Sequence, residues 1–579
     1  MRLASLLAQT LPRKLWGRAV ALARRLPGMA GRERGYYTAL EAELLDLPGP
    51  RRPPARLPLP PAPVIRQALA GAPDYRCIDL RAADAGEQAW LARQGLESAY
   101  ILANRGLIPA AYLPAARAAR RHALGIAADP DHTAFQLEAL DQGAIEAVCP
   151  VTGRVRRSIH GLLAAQNQPI FYWFPAAGDA PALLLAAGRE GRGWIKLYLF
   201  LPALRTALLL AEPVRWHGRD EIDELRAHLL AEHRAVRRYL QRRDPPRVTA
   251  LVDNQQFAHH LWNALSGLER LARFIQQAQP HEPPSLMVCA EPWGPVEALF
   301  PELPGAGMSV EHLRVLRVIP SALQEHRLLL RVGGTRVGDA LVARVRRVAA
   351  ARVPAGVTER AAALRRAHRP ILWVTLRMEN RTWVSQVPGL IAIGRRLAAD
   401  YPRAALVIDG FSLLYRADGG SDNGHGAVIA AEQQAAAAIR AGLDGWLPVE
   451  SLVSRPLFEA VVFAAVADCY CAHHGSLQHK IGWLGRCPGL VHANRTVLTT
   501  PRLWEAALDV REDGIAPTYL DATLVRDVPG AKRVEKNRWM DDLDNYELDP
   551  DAAYDLLAPL LAGGRERGVE CGLAVPWPP

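Results

Sequence analysis

The sequence predicts an α/β protein in which two doubly wound parallel-sheet units follow an α+β region, and three observations carry that expectation. From about residue 246 short apolar runs alternate with stretches of helical spacing, the pattern of parallel strands joined by crossover helices. The alternation runs twice, over 246–365 and again over 366–520, with no long linker between. Ahead of residue 245, apolar and aromatic runs sit close together between Gly and Pro, as in an antiparallel sheet flanked by helices.

Length and composition agree with several folded domains. At roughly 100–200 residues per domain, 579 residues make about three. Half of the chain is apolar and 22% is charged, which excludes a disordered chain. Gly and Pro, 45 each, mark it as loop-rich. The net charge of +11 is unevenly placed: residues 1–66 hold twelve Lys/Arg against four Asp/Glu, so +8 of it lies there and +3 on the remaining 513 residues. A folded part so nearly neutral argues against a nucleic-acid partner. Seven cysteines, an odd number with no C-x-x-C pair, point to neither a disulfide framework nor a zinc site, and fit a reducing compartment.

The first 63 residues are expected to be a basic arm and a Pro-rich linker. Leu3–Leu11 is apolar but is preceded only by Arg2 and followed by Pro12-Arg13-Lys14, so it is not taken as a secretion signal. Leu6, Leu7, Leu11, Leu15, Trp16 and Val20 alternate with Lys14, Arg18, Arg24 and Arg25. This is the composition of a basic amphipathic element suited to an anionic membrane surface, or of a helix packed on its own protein. With no 18-residue apolar run free of charge, residues 1–45 are expected to place a cytoplasmic protein peripherally on the inner membrane. Residues 64–245 form the α+β region, with helices over Gly86–Ala103, Ala110–Leu124 and Ile222–Arg243 around strands Pro169–Phe174, Leu183–Ala187 and Trp194–Leu199. Its Asp129, Asp131 and His132 read as a solvated turn.

In the first parallel unit, Val248–Val252 is a strand, Phe257–Ala278 a helix and Leu286–Ala290 a strand; Leu313–Ile319 and Arg327–Val332 continue the strands before a helix over Asp339–Ala351. In the second, strands Pro370–Leu376, Ala404–Ile408, Cys469–Ala472 and Gly489–His492 alternate with helices Gln386–Asp400, Ala427–Ala441, Arg455–Ala467 and Ser476–Gly485. Residues 521–579 are a tail with a closing helix.

Ligands of such sheets bind beyond the carboxyl ends of the strands, and the candidate residues follow from that rule. His473-His474-Gly475-Ser476 leaves a strand and enters a helix: Gly475 permits close backbone approach, Ser476 is a candidate N-cap, and the first-turn N–H groups with Lys480 can hold a phosphate. Arg377, directly after a strand, and Arg381 offer guanidinium groups to a leaving diphosphate. On the helix from Phe257, His260 and Asn263 fall together away from the apolar stripe, with His260 or its neighbour His259 as a candidate general base. Asp409, Gly410 and Phe411, ending the next strand, are candidates for a nucleoside pocket; Glu432 is a lesser one, in an Ala-rich helix where it reads as polar surface. The glycine-rich loop Ala417–Gly426 is a candidate lid. No D-x-D lies between strands, Asp541-Asp542-Leu543-Asp544 reads as a solvated tail, and no metal site is expected.

Thr375-Leu376-Arg377 to Arg381, the turn His474-Gly475-Ser476-Leu477-Gln478-His479-Lys480, and Asn545-Tyr546-Glu547-Leu548-Asp549-Pro550 before the last helix together resemble the nucleotide-sugar half of GT-B glycosyltransferases. The likeness is to the family of plant xylosyl- and arabinosyltransferases, whose turn reads H-G-A-x-L-T-N, and more loosely to bacterial heptosyltransferases. It covers about 246–561, and Ser476, Gln478, His479 and Lys480 depart from the family pattern. The resemblance implies two Rossmann-like lobes, 246–365 on the acceptor side and 366–520 on the nucleotide-sugar side. It implies transfer of a sugar from a nucleotide-diphosphate donor to a glycan or lipid-linked acceptor in surface polysaccharide synthesis, with no cofactor and no metal. Within it, His260, Asn263 and Arg377 are the catalytic candidates, and Arg377, Arg381, Asp409, Phe411, His474, Gly475, Ser476 and Lys480 the donor-binding ones. The competing expectation is a non-catalytic carbohydrate- or nucleotide-sugar-binding scaffold on the same fold.

Overall fold

The computed structural model describes residues 37, 39–45, 62, 65–66, 75–126, 133–166, 168–190, 193–211, 218–278, 282–378, 380–415, 425–500, 515–528 and 544–570. The protein is mixed α/β with two all-parallel sheets. Its two compact units are Met1–Asn254 with Arg270–Cys289 and Leu303–Gly334, and Gln255–Glu269 with Ala290–Glu302 and Thr335–Pro579. Residues 1–36, nearly all of the Pro-rich linker, the Asp129/Asp131/His132 turn, positions 416–424 of the glycine-rich loop and positions 541–543 lie outside the described residues.

The first unit begins with β1 (Arg76–Asp79), the hairpin β2 (Ile145–Val148) and β3 (Val155–Ser158), then β4 (Gly161–Leu163), β5 (Ile170–Phe174), β6 (Leu183–Glu190), β7 (Gly193–Leu201) and β8 (Thr206–Leu209). Six of these make a sheet in the order β1-β8-β7-β6-β5-β4, antiparallel except where β1 runs beside β8. The aromatic β5 is buried along its whole length: Phe171 and Trp173 pack with Ile222, Leu225, Leu229 and Val236 of the helices Gly218–Ala231 and His233–Gln241. Three long helices expected from periodicity are each broken. The first is interrupted after Arg93, where Gly95 takes φ +69°. The second restarts at Ala115 behind Pro114, which has no N–H to give to a preceding turn, and the third changes at Glu232.

The same unit holds a parallel sheet of β9 (Arg247–Val252), β10 (Ser285–Val288), β11 (Val310–His312) and β12 (Arg327–Leu330), in the order β11-β10-β9-β12. Tyr172 and Tyr239 tie the two sheets together by donating to the carbonyls of Leu329 and Arg327, each at 2.9 Å. The expected strand over Leu313–Ile319 is instead mostly the helix Val315–Gln324, with β11 just before it. Apolar residues at 313, 315, 316, 318 and 319 fit a period of two and of 3.6 about equally.

The second unit is built on β13 (Ile371–Thr375), β14 (Ala405–Asp409), β15 (Val449–Ser451), β16 (Cys469–His473), β17 (Gly489–His492) and β18 (Thr518–Tyr519), all parallel, in the order β15-β14-β13-β16-β17-β18. Numbered from β13, that order is 3-2-1-4-5-6, and the smaller parallel sheet repeats its first four places as 3-2-1-4. Helices Gln386–Asp400, Gly426–Gly442, Leu457–Ala464 and Ser476–Leu484 lie between the strands in sequence. β13, β14 and β16 are buried at every residue, as strands covered on both faces must be. β19 (Val525–Val528) pairs antiparallel with β20 (Asn545–Leu548). The last helix, Pro550–Glu570, then packs on Gln386–Asp400, with Tyr554 donating to Asp400 at 2.7 Å and Arg396 bridging Asp551 and Asp555. Leu390, Ile393, Leu397, Tyr554, Leu557 and Leu561 join one core with Leu372, Val374, Leu406 and Ile408.

Candidate functional site

The order of a doubly wound sheet reverses between its first and fourth strands, and a crevice opens at their carboxyl ends. In the second unit those strands are β13 and β16. They are joined at their ends by Thr375, whose Oγ1 accepts from the His473 N–H at 2.9 Å and lies 3.0 Å from His473 Nδ1. One step beyond Thr375 comes Leu376 and then Arg377; one step beyond His473 come His474 and Gly475, which leads into the helix Ser476–Leu484.

Gly475 is the N-cap of that helix, at φ +109° and ψ −148°, a conformation open in practice only to glycine. The cap residue is glycine and makes no side-chain cap bond, so Ser476 is the first helical residue and not the expected cap. Arg377 Nη1 lies 3.8 Å from where a Cβ would stand on Gly475. Its guanidinium is aimed by Asn380, which accepts from Nε through its carbonyl at 2.8 Å and from Nη2 through Oδ1 at 3.0 Å. Gln386 grips the Arg377 backbone on both sides, at 3.2 Å and 2.9 Å. Arg381 takes φ +51° in the same loop. Burial, with the charges of Arg381 and Arg377 added to it, pushes the His474 imidazole down to about 3, so the ring is neutral; its Nδ1 is 3.2 Å from the Tyr519 hydroxyl. A helix amino end and arginine charge therefore meet at one glycine, the arrangement that holds an oxyanion.

Under this turn lies a fully buried ionic cluster. Lys480 donates to Asp409 Oδ1 at 2.8 Å, to the Gly410 carbonyl at 3.0 Å and to Ser412 Oγ at 2.8 Å, and neither charged side chain is exposed to solvent. All three ammonium protons are engaged, so Lys480 is not the phosphate ligand that its place in the first turn suggests. Asp409, sealed in the same pair, does not line a nucleoside pocket. Burial raises its pKa, against the lowering pull of Lys480, and its Oδ2 has no hydrogen-bond partner among the described residues. Glu432 is not surface either: it is 3% exposed and accepts from the Phe411 N–H at 2.6 Å. Burial first, and then the charge of Asp409, push its carboxyl up to about 7, against the lowering pull of the Phe411 N–H, Lys480 and Arg377. A Cβ on Gly410 would stand 2.4 Å from Glu432 Oε2, so a larger residue there would displace the Glu432 carboxylate. Phe411 is half-buried, its ring centroid 5.0 Å from that of His425.

The start of the Phe257 helix belongs to this unit. Phe257 lies with its ring centroid 5.7 Å from Lys480 Nζ, and Trp262 lies 6.0 Å from Trp483 of the Ser476–Leu484 helix. From His260 to Leu265 the helix widens to a π-helix, a distortion frequent at functional sites. His260, the first-named candidate base, is wholly buried: Nε2 meets the Ala290 carbonyl at 3.0 Å, and burial pushes the ring down to about 4. His259 is half-exposed, and its Nδ1 lies 3.1 Å from Oδ1 of the buried Asn263, so of the two neighbouring histidines His259 is the one that reaches solvent. His259 also bears electrostatically on His479, one turn from Gly475.

The cluster around Arg377 contains residues to which the sequence analysis gave no site role. His473 is buried against His492 with ring centroids 4.5 Å apart, and Tyr546 meets His492 Nδ1 at 2.6 Å. Asn380, Gln386 and Tyr519 are ordinary polar residues in sequence, and only His473, adjoining the turn, carried a positional signal. No protein-family model and no curated protein matches this chain, so fold and site stand on its own residues.

Proposed function

We propose that the chain is a metal-independent glycosyltransferase of the GT-B plan, taking a sugar from a nucleotide-diphosphate donor to a glycan or lipid-linked acceptor. The two parallel sheets, in the orders 3-2-1-4 and 3-2-1-4-5-6, are what supports two Rossmann-like lobes. The single observation that carries the donor assignment is the Arg377 guanidinium beside the uncapped amino end at Gly475, at the switch point of the larger sheet. As the glycosidic C–O bond breaks, negative charge grows on the diphosphate; N–H dipoles and a guanidinium fixed in advance stabilise it without reorganising. His259, oriented by Asn263, is the group placed to take the acceptor hydroxyl proton.

The reading is tested by calorimetry of the full chain with UDP, GDP and ADP, followed by Arg377→Ala. One nucleotide should bind and lose roughly tenfold or more in affinity on substitution, since a charged hydrogen-bond partner contributes about 1.5–3 kcal/mol. No binding by any of the three, or binding indifferent to Arg377, ends the proposal. The burial of His260 is what favours the non-catalytic alternative. A sugar-nucleotide hydrolysis assay separates the two, because a scaffold binds without turnover and His259→Ala changes nothing in it.

A further inference from the structure

The positive charge of the chain beyond residue 66 is collected in one place. Residues 233–247 hold six arginines against a single aspartate, +5, so the rest of 67–579 sums to −2. They span the helix His233–Gln241 and the turn after it. Val236, Tyr239 and Leu240 join the core, while Arg234, Arg237, Arg238 and Arg242 recur at spacings of three and four on the exposed side. Arg237 meets Glu43 at 2.8 Å and Arg242 meets Asp244 at 2.5 Å. Arg234, Arg238 and Arg243 have no carboxylate partner among the described residues. The helix Val315–Gln324 packs beside this one, and its Leu323 reaches the core that holds Val236, Tyr239 and Leu240. Leu316 lies two turns back on the same stripe as Leu323, yet it is 86% exposed. A lone exposed leucine needs no explanation; this one stands between Arg314 and Arg317, both exposed, on a helix packed against an arginine face. The N-terminal segment is fastened to the same helices. Tyr37 and Leu40 pack on Ala227 and Leu230, Arg226 donates twice to Glu41, and Arg237 holds Glu43. Residues 1–36, which lead into that segment, carry eight Lys/Arg against one Glu.

We propose that the arginine face of His233–Gln241, with Leu316 of the helix packed beside it, docks on an anionic lipid surface. Guanidinium groups that have no carboxylate of their own can take lipid phosphates as bidentate acceptors, and the bare leucine gains by entering the layer below the headgroups. A nucleic acid would offer the phosphates but no apolar layer for Leu316. The proposal is independent of the sugar-transfer reading. It assigns to folded helices a membrane contact that the sequence placed in residues 1–45 alone.

The test is co-sedimentation of the full chain with vesicles of phosphatidylcholine alone, and of phosphatidylcholine mixed with an equal part of phosphatidylglycerol. The chain should pellet with the second and not with the first, and less as salt rises. Near an anionic surface each arginine contributes about fivefold in affinity, so Arg234→Glu with Arg238→Glu should lose roughly twentyfold or more. Leu316→Ser should lose about fivefold to tenfold. The same change of net charge made at the exposed Arg366 and Arg440, as Arg366→Glu with Arg440→Glu, should cost little. Where the Arg234/Arg238 pair of reversals does not fold, Arg234→Gln with Arg238→Gln takes its place, with a loss of roughly fivefold or more. No pelleting with either vesicle overturns the proposal. Pelleting that the Arg234/Arg238 variant does not weaken overturns it as well, because residues 1–36 then carry the contact alone. An equal loss in the Arg366/Arg440 variant reduces the effect to net charge and has the same consequence. Leu316→Ser pelleting like the wild type removes the lipid assignment, and binding of single-stranded RNA that is lost in the same arginine variant would then name a nucleic acid as the partner.

Discussion

Lys480 and Asp409 are wholly buried and matched, and that fixes what their substitution does. Removing the ammonium strands a carboxylate in a closed volume, so Lys480→Met is expected to cost about 3–5 kcal/mol in chemical denaturation, while the double change Lys480→Met with Asp409→Leu recovers much of it. A single mutant as stable as the wild type would mean that water reaches the pair. Glu432 gives the opposite kind of prediction. Its pKa in the folded chain, about 7, lies above the 4.5 of an ordinary glutamate. The stability that it contributes is present below about pH 4.5 and is lost as pH rises through about 7. Glu432→Gln should therefore match the wild type near pH 5 and exceed it near pH 8, by an amount on the order of 1–3 kcal/mol, measured as the difference between thermal melts at the two pH values. His259 and His260 differ by one position and by everything that burial decides: His259→Ala is expected to abolish turnover and leave nucleotide binding intact, whereas His260 acts through packing.

At the scale of the element, the helix Ser476–Leu484 has a glycine at φ +109° as its N-cap, a residue with no side-chain acceptor to offer. That vacant cap costs helix stability and leaves the amino end for a ligand. Gly475→Ala must force φ +109° on a residue with a Cβ, which costs about 1–3 kcal/mol and should weaken binding of UDP, GDP or ADP along with it. Ser476→Ala, which a capping role would make costly, is expected to change stability by less than about 0.5 kcal/mol because no cap bond is lost. Equal effects of the two substitutions in thermal melts would contradict the observed cap. The π-turn from His260 to Leu265 is the second special element. It is what gives two adjacent histidines such different surroundings.

For the molecule as a whole, the second unit folds with a set of buried histidines held neutral. Burial pushes His260 down to about 4, His474 and His492 to about 3, and His473 and His479 well below the ordinary value. For a histidine whose folded pKa is lowered, the unfolded chain takes up the proton first, so stability is intact above about pH 6.5 and falls as pH drops below it. Each such group removes up to about 1.4 kcal/mol per pH unit, and five acting together predict cooperative acid unfolding between about pH 6 and pH 5. A chain still folded near pH 4 by circular dichroism would show that these imidazoles reach water. Glu432 works against this trend, so the most stable state is expected near neutrality.

Much of the architecture was legible because it depends on local pattern. Gln386–Asp400 and Gly489–His492 were expected at the residues where they occur, since apolar periodicity, glycine and proline act over a few neighbours. The position of Gly475 after a strand and before a helix was legible for the same reason. The short strands Val449–Ser451 and Thr518–Tyr519 were not, because three or two residues carry no period. The sequence by itself determined the two alternations of strand and helix and the glycine turn that faces Arg377. Only the tertiary structure decided that Lys480 turns inward to Asp409, that Glu432 is buried and not surface, and that His259 and not His260 is accessible. Those outcomes depend on which groups distant in sequence share a desolvated volume, and the free energy of a charge there is set by its partners and not by its neighbours along the chain.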